Sequence, residues 1–143
     1  MANEKDEVLD QEKHTQGLED TFLKALKERR AGRVDKAMDL LRKVIHGDPR
    51  LPEPHLELAH VHLEAERFDL AEVEAREGLR WLEQGGQWVE DLPINVVLSH
   101  AHDLLGQILQ DKAATDEIVF GDEEVFTGML REAKGHFETA REL

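Results

Sequence analysis

The sequence has no cysteine and no tyrosine, a single serine (Ser99) and two asparagines (Asn3 and Asn95) among 143 residues. Without cysteine there is no disulfide, no thiolate metal site and no cysteine nucleophile. Ser99 falls mid-helix in the pattern described below, outside the strand-turn-helix setting that exposes a nucleophilic hydroxyl. Aromatic residues make up 5% of the chain, and Val and Ile are few. Those shortages disfavour a sheet and leave the helix formers Leu, Ala, Glu, Arg and Lys dominant. No apolar run approaches a membrane span, there is no Gly-rich phosphate loop, and the opening MANEKDEVLDQEKHTQ lacks an apolar signal core. The cytoplasm is the expected location. Positive charge is also in deficit: 18 Lys and Arg face 32 Asp and Glu, a formal net charge of −14. Nucleic acid and anionic membranes need a cationic surface, so neither is an expected partner.

The remaining composition, 40% hydrophobic, suffices for the core of one domain. Residues 1–15 are charged and read either as a disordered arm or as a loosely docked helix. Residues 16–143 are expected to form a single domain. Helical periodicity begins with Leu18, Phe22, Ala25 and Leu26, and Gly32 interrupts it. Val34, Ala37, Met38, Leu41, Val44 and Ile45 form a second run, closed by the Gly-Asp-Pro at 47–49. A third run holds Leu58, Ala59 and His62. Asp69 with Glu72 reads as a capping pair for a fourth helix that continues to the Gly-Gly at 85–86. Pro93 suits the first position of a long helix to about Asp111. Asp122 is expected to cap a last helix, with Phe126, Met129, Leu130, Ala133, Phe137 and Ala140 on one face.

Six helices in three antiparallel pairs suggest a repeat. Val34 to Phe68, Ala37 to Ala71, Leu41 to Ala75 and Val44 to Gly78 are each separated by 34 positions. The segment AGRVDKAMDLLRKVIHGDP at 31–49 carries a Gly at the helix turn (Gly32), an apolar residue two later (Val34), a small residue in the second helix (Ala37) and a closing Pro49. This resembles the tetratricopeptide repeat family. Leu58, Ala59, Phe68, Ala71, Ala75 and Gly78 fill the second repeat, and Leu105, Gly106, Leu109, Ala133, Phe137 and Ala140 the third. The resemblance implies an all-α fold, a right-handed α-α superhelix of three antiparallel helix hairpins, with repeats at about 18–49, 52–84 and 93–143. Small residues at the family positions let neighbouring helices approach and bury a shared core. The third repeat departs from the pattern: 15 extra residues lie between its helices, since Leu58 to Ala71 spans 13 positions and Leu105 to Ala133 spans 28. The insertion at 112–122, with Ile118, Val119 and Phe120 in a row, is expected to be an ordered or partner-dependent lid docking on the third repeat or on another chain. The first helix of repeat one reads as one residue out of step.

Histidines cluster in HLELAHVHLE (55–64) and SHAHD (99–103). The second cluster resembles the His-x-His-x-Asp-His run of metallo-β-lactamase-like hydrolases, but Asp103 follows His102 directly and Leu104 stands where a further His is needed. A metal-dependent hydrolase is therefore only a distant alternative. His100 and His102 point about 200° apart on a helix and cannot share one ion. His55 and His62 share the face where such repeats place large core aromatics, so His62 and His102 are expected to be packed, with His60 and His100 nearer the groove. No metal, cofactor or catalytic residue is expected.

The resemblance implies a non-enzymatic protein-protein interaction module, adaptor or scaffold, whose first helices line a concave groove. Helical spacing assigns that groove Leu23, Lys27 and Arg30 in repeat one, Leu56, His60 and Leu63 in repeat two, and Asp103, Gln107 and Gln110 in repeat three. The expected partner is another protein, a peptide or helical segment with apolar anchors and an acidic end. Self-association into a homo-oligomer is a further option. A clamp for a C-terminal carboxylate is excluded, because neither Asn3 nor Asn95 occupies a mid-helix groove position. The alternative function is that of a class II type III secretion chaperone, which this small, acidic chain is similar to in size, charge and repeat count.

Overall fold

The computed structural model describes residues 4–89 and 91–143, apart from the side chains of residues 4, 6 and 8–12. It contains α1 (Glu4–Arg30), α2 (Val34–Gly47), α3 (Pro52–Glu64), α4 (Phe68–Glu83), α5 (Ile94–Ala113), α6 (Asp116–Val119) and α7 (Glu123–Glu142), with no strand among the described residues. The fold is all-α and of the helical-repeat class. The chain separates into two compact units, Met1–Pro49 and Arg50–Leu143. The charged arm is helical from Glu4 onward and is part of α1. Its residues are mostly helix formers uninterrupted by Gly or Pro until Gly17, and His14 Nε2 lies 3.3 Å from the Gly47 carbonyl, which ties the extension to the end of α2. Residues 1–3, including Asn3, lie outside the described residues.

In the first unit α1 and α2 form a hairpin. Phe22 and Ala25 of α1 and Ala37, Met38, Leu41 and Val44 of α2 are buried. The turn is closed in the manner of a Schellman motif: Gly32 takes φ +81°, and the Arg33 N–H donates to Glu28 O at 2.9 Å. Arg33 then folds back, and its guanidinium donates to the Glu28 carboxylate, which Lys36 Nζ approaches to 3.6 Å. Chiefly the Arg33 hydrogen bond holds the Glu28 carboxyl below the usual carboxylate range.

The second unit opens with the hairpin α3–α4, which repeats this turn 34 positions on. Glu66 takes φ +59° where repeat one has Gly32, and the Arg67 N–H donates to His62 O at 2.8 Å. α4 therefore begins at Phe68. Asp69 and Glu72, expected to cap it, lie inside its first turns instead. There they hold Lys112 Nζ of α5, each at 2.9 Å. Gly85, at φ +80°, ends α4 with the same turn, the Gly86 N–H donating to Trp81 O at 2.8 Å. The loop that follows is fastened to α3, as the Glu53 carboxylate accepts from the Trp88 N–H at 3.0 Å and the Val89 N–H at 2.6 Å.

α5 packs on α4 and on α7, and the core of this unit is continuous through α3, α4, α5 and α7. Leu56, Ala59, Ala71, Ala75, Leu105, Ile108, Leu109 and Ala133 are among its members. The small residues mark the close approaches. A Cβ at Gly78 would lie 2.8 Å from the Leu56 side chain, and one at Gly106 would lie 2.9 Å from the Phe137 ring. Asp122 caps α7 as expected, its carboxylate accepting from the Glu124 N–H at 2.8 Å. The insertion forms the four-residue α6.

Candidate functional site

The nine residues assigned to a groove divide into three groups. On α1, Leu23 is 61% exposed, and Lys27 and Arg30 are also exposed. On α5, Asp103, Gln107 and Gln110 are exposed along one face, with Gln107 Nε2 donating to Asp111 Oδ1 at 2.7 Å. On α3 the assignment fails for Leu56. Leu56 is 4% exposed and lies over Gly78 in the core between α3 and α4. Leu63 is half-buried and packs against the same core, while His60 is half-buried at the surface.

The error on α3 is a matter of one residue. The proposed groove steps from Leu23 to Leu56, 33 positions, yet the core repeats at 34: Phe22 and Leu56 are both buried, as are Ala25 and Ala59. The first helix of repeat one is therefore in step with repeat two. The signal that would have found this is Gly78, because a glycine at a helix crossing needs a large residue to fill the space above it. With Leu56 in the core, the outer side of α3 is carried by Glu57, His60 and Glu64, the two glutamates adding negative charge.

Histidines join these helices. His60 Nε2 of α3 and His100 Nε2 of α5 lie 2.9 Å apart. With ring centroids 5.0 Å apart, the rings meet tip to tip. His102 of α5 and His136 of α7 form a second pair, Nδ1 to Nδ1 at 2.9 Å. His136 Nε2 lies 3.1 Å from Glu132 Oε2. Glu132 in turn receives both terminal nitrogens of Arg76 from α4, at 2.8 and 3.0 Å. The chain of contacts from Arg76 to His102 thus spans α4, α7 and α5. The Arg76 hydrogen bonds hold the Glu132 carboxyl below its usual range. Burial, and then the neighbouring His136, push His102 below the ordinary histidine value. His55 and His62 are buried at 5% and 3% exposure, as their shared face required, and His55 Nδ1 lies 2.7 Å from Glu74 Oε2 of α4. Each imidazole pair needs one N–H facing one lone pair, which two neutral rings supply. Among the described residues, no three His, Cys, Asp or Glu side chains are grouped to hold a metal ion.

Charge is divided unequally between the units. Residues 1–49 hold 10 Lys and Arg against 11 Asp and Glu, a net −1, whereas residues 50–143 hold 8 against 21, a net −13. No helix among the described residues is long and apolar enough to cross a membrane.

Residues 28–88 match the family model described as tetratricopeptide repeat. The match runs from the last turn of α1 through the whole of the second hairpin and supports a tetratricopeptide repeat protein. No curated protein matches it. Tetratricopeptide repeats generally mediate protein-protein interaction and are generally non-catalytic.

Proposed function

We propose that the chain is an adaptor that binds a peptide or helical segment of another protein along the outer faces of its first helices. The observation that carries this reading is the stripe Asp103, Gln107 and Gln110. For two turns of α5 these residues stay exposed while Val97, Ala101, Leu104, Leu105, Ile108 and Leu109 bury the rest of the helix. His60 and His100 join that stripe to α3. The surface is polar rather than apolar, since Leu56 belongs to the core. Recognition there rests on hydrogen bonds and charge, and the exposed Lys27 and Arg30 of the first unit add long-range attraction for acidic residues of the partner.

A photo-crosslinking residue at Gln107 and the substitution Lys27→Glu test this in the full chain. The expected result is a crosslink to a bound protein from position 107, and an association rate lowered by Lys27→Glu with helix content unchanged. A partner that binds normally to a chain carrying both Lys27→Glu and Gln107→Arg overturns the reading.

A further inference from the structure

The insertion that repeat packing does not require displays an apolar edge. Val119 is 46% and Phe120 83% exposed. Next to them a cleft of about 490 Å³ has Phe68 and Leu70 of α4, Ile118 of α6 and Met129 of α7 in its walls. Leu70 is 51% exposed, and Val73, one turn further along α4, is 60% exposed. A phenylalanine this exposed contributes almost nothing to the fold, whereas an exposed aromatic side chain beside a cleft with apolar side chains in its walls is a common anchor of an interface.

The surroundings state what kind of partner fits. Residues 113–124 contain five carboxylates and no Lys or Arg. Glu66, Asp69 and Glu117 line the cleft. Lys112, which also lines it, is held between Asp69 and Glu72 at 2.9 Å each, so its charge is spent within the unit. Arg67 is the remaining base in the walls. A second copy of this acidic unit would bring like charge against like, as would nucleic acid or an anionic membrane. The apolar side chains come in pairs one helical turn apart, Leu70 with Val73 on α4 and Val125 with Met129 on α7. That is the spacing which receives the ridge of an incoming helix.

We infer that this cleft is a second docking surface, separate from the first-helix faces, and that its occupant is a cationic amphipathic helix of another protein. The apolar ridge of that helix lies over Phe120, Leu70 and Met129, and its Lys and Arg side chains reach Glu66, Glu117 and the other carboxylates of 113–124.

The probe is a labelled peptide of about five helical turns with leucines on one face and lysines on the other, compared with a scrambled isomer of equal charge and no apolar face. Binding to the full chain is read by fluorescence anisotropy and mapped by amide chemical shifts. The amphipathic peptide is expected to bind about tenfold tighter than its isomer, and Phe120→Asp to cost about tenfold. Leu92→Asp, at the opposite end of α5 and 53% exposed in the wild type, leaves binding unchanged. Shifts are expected at 66–73 and 115–130. Leu70→Asp gives the same loss as Phe120→Asp; if it unfolds the chain, Phe120→Asp alone decides. Equal binding of the two peptides, indifference to Phe120→Asp, or shifts gathered on the outer side of α3 and α5 would each overturn the proposal.

Discussion

Glu66 occupies the backbone position that Gly32 and Gly85 occupy in the other Schellman-type turns, with φ +59° against +81° and +80°. A side chain in the left-handed region costs about 1–2 kcal/mol, of which a glycine gives back part through the freedom it adds to the unfolded chain. Glu66→Gly is therefore expected to stabilise the protein by up to about 1 kcal/mol, seen as a higher melting temperature. A lower melting temperature would mean that the carboxylate contributes more than the backbone strain removes. His102 makes a second single-residue claim. Its folded pKa lies below the ordinary 6.5 because of burial and His136, against the weaker opposite pull of Glu83 and Asp103. The neutral ring is thus favoured by folding. The contribution of His102 is complete above the unfolded value and is lost as pH falls through the depressed folded value. The stability difference between wild type and His102→Gln, measured by chemical denaturation at a series of pH values, should shrink on acidification from about pH 7.5 to about pH 5. A difference that is constant or grows over that range contradicts the assignment.

At the scale of helices, the fit of α3 to α4 depends on one missing side chain. A methyl group at Gly78 meets Leu56 at 2.8 Å and the carbonyl of Pro52 at 3.1 Å. The leucine tip can turn aside, but the backbone carbonyl cannot. Gly78→Ala is expected to destabilise by about 1–3 kcal/mol despite the better helix propensity of alanine, measured by urea unfolding. Leu56→Glu buries a carboxylate in the same place and should lower helix content outright, where an outward-facing leucine would have tolerated the change. Most helix boundaries were legible in the sequence, because Gly32, the Gly-Asp-Pro at 47–49, the Gly pair at 85–86, Pro93 and Asp122 each terminate or start a helix by a local mechanism. The start of α4 was not, because Glu66 adopts a glycine conformation that its identity does not announce. The histidine pairs were equally hidden. Spacing along α5 shows that His100 and His102 diverge, yet nothing in it reveals that each meets a partner from another helix, 40 and 34 positions away. The exposed face of α5 was legible from its apolar stripe, whereas that of α3 was misread by a single position.

For the molecule as a whole, the uneven division of charge has a consequence for its response to electrolyte. The carboxylates of residues 50–143 repel one another in the folded state, and the net −13 of that unit is a cost that the near-neutral unit of residues 1–49 does not share. Dissolved ions shorten the reach of that repulsion to about 10 Å at 0.1 M. Added sodium chloride should therefore slow amide hydrogen exchange in α3, α4, α5 and α7 of the intact protein while leaving α2 nearly unchanged. Uniform slowing of both units would place the effect in general solvent exclusion. Ionic strength thus acts on the opening of one half of this protein and hardly on that of the other.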